Sequence, residues 1–131
     1  MPATLKSPRA QSLQQLIEAT RFSKTDWAMV LTEGCHGRIG TAPPAVGKVP
    51  VLEMLQSFYS VAERFHSPFA QAWEFREAAI LETEVVYSER GGHLKSVPCA
   101  IILRTLDGFI CDLRILLDPT GIPSWPFVHG G

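Results

Sequence analysis

Apolar residues recur along this chain with two different periods, and the change from one to the other divides it. Leu13, Leu16, Ile17 and Thr20 follow helical spacing behind Ser7-Pro8, a cap with proline at the first helical position, and predict a helix over about 8–21. Asp26 can cap a short second helix through "WAMVL", ended by Gly34. "CHGRIG" reads as a brief strand and "TAPPAVGK" as a loop. Pro50 suits the first turn of a third helix, whose apolar positions Val51, Leu52, Leu55, Phe58, Tyr59, Ala62 and Phe65 share one face until Pro68 closes it. From about residue 69 the period becomes two. A strand is expected near "FAQAWEF", then three long ones at about 79–89, 94–105 and 109–118. Helices first and an antiparallel meander afterwards make an α+β domain.

Parity sorts the faces of those last strands. Leu81, Thr83, Val85 and Tyr87 share one face, as do Val97, Cys99, Ile101 and Leu103, and Cys111, Leu113, Ile115 and Leu117. For these odd positions to lie on one side of a sheet, odd must pair with odd. A two-residue turn at Asp107-Gly108 does not allow that pairing. A three-residue loop, Leu106-Asp107-Gly108, does, and it pairs Thr105 with Phe109, Leu103 with Cys111 and Ile101 with Leu113, with Gly108 left-handed. The even face then carries Glu82, Glu84, Arg104, Asp112 and Arg114 beside Pro98, Ala100, Ile102 and Leu116. Charges mixed with apolar residues predict a subunit interface there, giving a homodimer.

Composition narrows the function classes. The 131 residues suit one domain, and a net charge of -1 lacks the basic excess of a nucleic-acid binder. Cys35, Cys99 and Cys111 form no C-x-x-C pair, and their odd number fits free thiols and a cytoplasmic protein. The histidines at 36, 66, 93 and 129 lack metal-ligand spacing, so no metal is expected. Neither a signal-peptide core nor a membrane span is visible, so no membrane partner is expected.

The order "GRIGTAPPAVGK", long helix, "VPCAIILR" and "GFICDLRILLDP" resembles the SnoaL-like branch of the nuclear transport factor 2-like superfamily over about residues 8–122, between an arm at 1–7 and a tail at 123–131. The branch includes polyketide cyclases and is related to limonene epoxide hydrolases and ketosteroid isomerases. The resemblance implies a cone: a curved antiparallel sheet wrapped around three N-terminal helices, with an internal apolar cavity. Dimers through the outer sheet face are common in such families. The epoxide-hydrolase acid–base positions fall on Thr83, Val85 and Ile115, which are not acidic. An acid of the cyclase kind remains only at Asp118.

Within that cone the meander's wall of Thr83, Val85, Tyr87, Cys99, Cys111, Leu113 and Ile115 suits a hydrophobic ligand. Polar chemistry would come from elsewhere. His36 and Arg38 share a strand face, and a histidine can serve as general acid or base at neutral pH. Tyr59 could donate to an oxyanion, and His66 and Trp73 border the same space. The reading is a cofactor-independent isomerase or cyclase acting by proton transfer on a polyketide- or terpenoid-like molecule, with Asp118 or His36 as the proton shuttle. The alternative is a non-catalytic ligand-binding or dimerising module. The tail, with Trp125 and Phe127 among its prolines, is expected to lie across the cavity mouth or a partner subunit.

Overall fold

The computed structural model describes residues 7–19, 21–65, 71–89 and 91–127. Helix α1, Pro8–Glu18, begins as the sequence predicts: the Ala10 N–H donates to Ser7 Oγ at 3.2 Å, and Pro8 needs no donor in the first turn. Its buried side carries Leu13 and Ile17. Helix α2, Lys24–Val30, starts before Asp26. Ser23 is its cap, accepting from the Asp26 N–H, and Asp26 sits in the first turn where the helix dipole favours an acid. It stops short of Gly34 because Leu31 already pairs with Ile110 in the sheet.

Strand β1, Leu31–Ile39, therefore extends well beyond "CHGRIG", and the expected loop contains a second strand, β2, Ala45–Val46, folded back on it. Gly47 then caps α3, Lys48–Val61, with φ of 101° while its N–H donates to Cys35 O at 2.7 Å; a β-carbon there would be strained. Helix α3 ends before Phe65, because Arg64 and Phe65 form β3 and pair with Val86 and Val85. Strand β4, Gln71–Glu74, pairs with the same edge of β5, Ala78–Ser88, and β6, Leu94–Leu106, and β7, Phe109–Leu117, follow.

The strand order is β2-β1-β7-β6-β5-β3, with β4 beside β3 on β5. All neighbours are antiparallel except β1 and β7, so the expected antiparallel sheet is mixed. The sheet is open, curved and wrapped around the helices as a cone.

Parity places the faces correctly but misplaces the hairpin that joins the last two strands. The turn between β6 and β7 is the two-residue one: Leu106 pairs with Phe109, and Asp107 and Gly108 have φ of 53° and 84°. Thr105 pairs with Ile110 and Arg104 with Asp112, which leaves Cys111 unopposed as a bulge. That extra residue restores odd-to-odd pairing, so Leu103 meets Leu113 and Ile101 meets Ile115, each two residues from the expected partner. It also bends the sheet.

The concave face is packed against α3. Val51, Leu52, Leu55 and Phe58 meet Leu81, Val85, Ile101, Leu113 and Ile115, with Trp27 and Ile17 beside them in one cluster. Each such side chain, fully buried, contributes roughly 1.5–3 kcal/mol. Helix and sheet pack tightly at Gly37, where a β-carbon would stand 2.7 Å from Met54 Cε and 3.3 Å from Val51 Cγ2.

Candidate functional site

The strand meander places Thr83, Val85, Cys99, Leu113 and Ile115 on the concave wall, as parity predicts, but they do not border an open chamber. None is more than 6% exposed, and Val85 is fully buried. None of the five lines the recess at the mouth of the cone, so this stretch of wall is closed by packing. Burial pushes the Cys99 thiol up to about 12, which keeps it a neutral, unreactive group. Cys35 is raised for the same reason.

Tyr59 is half-buried, ringed by Phe22, Trp27, Phe58 and Phe65, and donates its hydroxyl proton to Ile17 O at 2.7 Å. Burial raises its pKa as well. The bond ties α3 to the end of α1, and the proton that an oxyanion would require is already engaged. Tyr87 lies under the tail: a β-carbon on Gly121 would stand 2.6 Å from its hydroxyl. Beyond Gly121, Trp125 packs edge-on to Phe58 and Phe127 packs on Trp125, so the tail lies across its own chain.

Several positions expected at the cavity lie elsewhere. His36 and Arg38 are exposed on the convex face, because Cys35, Gly37 and Ile39 take the concave positions of β1; the Arg38 Nε–H donates to Ala42 O at 3.0 Å. Trp73 is 42% exposed and pairs with Ile80 on the same outer face. Cys111, displaced by the bulge, is half-buried and its thiol donates to Arg104 O at 3.5 Å. Asp118 is exposed and accepts from the Thr120 N–H and hydroxyl; those bonds lower its pKa and define a turn cap. The structure does not bring Asp118 and His36 together at a cavity. His66 lies outside the described residues.

At the end of the cone where β5 begins and β6 ends the packing opens into a recess, reached past the half-buried Ala10 and Ala78, above Leu13, Ala79 and Leu103, which are only 2–3% exposed. The recess, of about 300 Å³, is bounded by the first turn of α1, the β4–β5 turn and the β6–β7 turn. Its floor is apolar, from Ala10, Leu13, Ala78, Ala79 and Leu103, and its rim carries Ser7, Arg9, Glu74, Phe75 and Arg76. The volume is at the lower end of what small-molecule sites offer, about 300–1,000 Å³. The Arg9 Nε–H donates to Gly108 O at 2.6 Å, and its guanidinium lies 5.1 Å from the centre of the Phe109 ring. Glu74 Oε1 accepts from the Ser7 N–H at 3.2 Å and the Ser7 hydroxyl at 3.3 Å, joining the β4 edge to the helix cap. These contacts span 67 and 99 residues of sequence. No local pattern announces them; only the Ser7-Pro8 cap, which places Arg9 and Ala10 in the first turn, hinted at one wall.

Among the described residues no group of three or more His, Cys, Asp or Glu side chains is placed to hold a metal ion, and no helix is long and apolar enough to cross a membrane.

Solved structures similar to this chain include a protein from Jannaschia sp. CCS1 provisionally assigned as a SnoaL-like polyketide cyclase. It is 13% identical, covers 95% of this chain and 100% of its own, and superposes with a TM-score of 0.75. A hypothetical protein with a ketosteroid isomerase-like fold from Catenulispora acidiphila DSM 44928, solved with trimethylamine, is 12% identical over 87% of this chain and 89% of its own, with a TM-score of 0.69. A Xanthomonas campestris pv. campestris protein provisionally assigned as a polyketide cyclase is 18% identical over 86% and 92%, at 0.66. No family model matches the sequence, and no curated protein matches it. The chain has the cone fold of the nuclear transport factor 2-like superfamily, in the form found in SnoaL-like proteins. At these identities the likeness speaks for the fold, and the chemistry has to come from the residues.

Proposed function

We propose that this protein is a binding module of the cone fold: it takes a small hydrophobic molecule into the mouth recess and pairs with a second copy through its outer sheet face. One observation carries the first part. A recess opens at the mouth over Leu13, Ala79 and Leu103, themselves only 2–3% exposed, while Thr83, Val85, Cys99, Leu113 and Ile115 line no part of it, and the two proton-transfer candidates, His36 and Asp118, stand on the outside. The provisional cyclase assignments of the neighbours favour an isomerase or cyclase. That chemistry needs an acid or base within reach of the bound molecule; neither residue meets that requirement, and the carboxylate at the rim, Glu74, is engaged with the Ser7 cap.

Pairing is supported by the pattern of the convex face. Trp73, Ile80 and Ile102 form a row across β4, β5 and β6 that continues to Arg114 on β7 and Arg38 on β1. Glu82 and Glu84 stand on the β5 side of the face, and Arg114 and Arg38 on the β7 and β1 side. Arg114 is paired with Asp112 at 3.4 Å, which leaves the apolar row bordered by Glu82 and Glu84 on one flank and Arg38 on the other, an arrangement that suits pairing with a second copy.

The test has two arms. Titration of octanol into protein carrying labelled methyl groups should shift Leu13 and Leu103, while a screen of apolar ketones, lactones and epoxides gives no turnover. Turnover that disappears in Asp118→Asn or His36→Gln would overturn the binding reading. For pairing, sedimentation should show a dimer that Ile102→Lys dissociates; a native chain that stays monomeric at every soluble concentration contradicts it.

A further inference from the structure

The recess offers more than an apolar floor, and its rim discriminates by charge. Among its lining residues two are formally cationic, Arg9 and Arg76, and one is anionic, Glu74. The three are not equivalent. Glu74 already accepts two hydrogen bonds from Ser7, so part of its capacity is committed to holding the β4 edge against the cap of α1. Arg9 is held in place through Nε by Gly108 O and by the Phe109 ring, which fixes a guanidinium at the mouth without neutralising it. Arg76, exposed in the β4–β5 turn, makes no hydrogen bond or ion pair among the described residues. The first turn of α1 contains no acidic residue that would compete for these cations.

Beneath this rim the floor has small side chains on α1 and β5, Ala10, Ala78 and Ala79, and leucines on α1 and β6, Leu13 and Leu103, which leaves a slot, with Phe75, 57% exposed, at its edge. A molecule that satisfies both parts has an apolar body and one negative end. An arginine pair recognises a carboxylate through planar, charge-assisted hydrogen bonds that a hydroxyl or amide cannot match.

We infer that the mouth recess binds a small amphiphilic carboxylate, its hydrocarbon part on Leu13, Ala79 and Leu103 and its carboxylate between Arg76 and Arg9. This deepens the binding reading above and rests on it. Because the two arginines come from the first helix and the β4–β5 turn, the site exists only in the folded chain, and an occupant would tie those elements together.

Three probes of one length test the inference in calorimetric and methyl-NMR titrations of the full chain: octanoate, octanamide and octylamine. Octanoate should bind at least tenfold more tightly than octanamide, and octylamine more weakly than either. Arg76→Gln, in a residue with no described contact to lose, should reduce octanoate affinity several-fold and leave octanamide unchanged. Ala10→Phe, which fills the slot from the helix, should weaken all three; its thermal midpoint confirms that the fold is intact. Equal binding of octanoate and octanamide, or tighter binding of octylamine, overturns the carboxylate assignment while the recess remains a binding site. Absence of saturable binding by all three probes overturns both.

Discussion

Cys99 reports directly on whether the cone is closed. It lies on the concave wall, pairs with Thr83 and Leu117 across the sheet, and is 4% exposed. A double variant, Cys35→Ala with Cys111→Ser, leaves it as the single thiol. At pH 8 an ordinary thiol with a pKa near 9 is about one-tenth thiolate, whereas one near 12 is thiolate about once in ten thousand molecules. Alkylation should therefore be slower by about a thousandfold from ionisation alone. The alternative route is through opening of the fold, where the thiol regains its ordinary pKa and the rate is set by the open fraction, about one in a thousand or less for a domain of ordinary stability. The assay is iodoacetamide modification followed by mass spectrometry, with and without urea. The expected result is negligible labelling of the native protein over hours and complete labelling in urea. Native labelling at the rate of a free thiol would mean that a cavity reaches Cys99, and the packed-wall reasoning would fail.

Three further outcomes follow from the same contacts. Tyr59→Phe removes the donor to Ile17 O and should cost about 1–2 kcal/mol in urea unfolding, with octanol binding unchanged; a large loss of binding with no loss of stability would return Tyr59 to the site. Trp125→Ala deletes a half-buried ring packed on Phe58 and should lower the thermal midpoint by a few degrees, roughly a 1–2 kcal/mol effect; no change would mean that the tail does not rest on its own chain in solution. Cys99 keeps its proton to higher pH in the fold than in the unfolded chain, so its contribution is complete below about pH 9 and declines as the pH rises towards 12, by up to about 1.4 kcal/mol per pH unit. Urea midpoints should fall across that range more steeply in the native chain than in Cys99→Ala, and parallel curves would contradict the assignment.

Much of the fold was legible because local chemistry and long-range packing agree. Ser7-Pro8 starts α1 by a rule that needs nothing beyond its own turn, and the odd residues of β5, β6 and β7 are buried because a sheet with one packed face imposes a period of two. The errors occur where parity is broken. The bulge at Cys111 performs the phase change that a longer turn would have supplied, and from sequence the two solutions give the same apolar face. Pairing with distant strands also overrode local signals: Leu31 leaves α2 for Ile110, and Phe65 leaves the stripe of α3 for Val85.

The site was harder to see than the fold. His36 and Arg38 were placed on one face correctly, but which face turns inward depends on Cys35, Gly37 and Ile39 meeting α3, a contact that Gly37 permits by having no side chain. Asp118 lay past the end of the alternation, and its turn with Thr120 decided its direction. The recess could not be found at all by pattern, since its walls come from residues near 9, 76 and 105 that only the folded cone assembles.

A cone packed along its inner wall and receptive at its mouth has a distinct signature in solution. Methyl-resolved NMR of the full chain titrated with octanoate tests it most directly. Saturable shifts are expected at Leu13, Ala79 and Leu103 with Val85, Ile101 and Ile115 unmoved. Shifts centred on Val85, Ile101 and Ile115 would show a ligand inside the wall and contradict it.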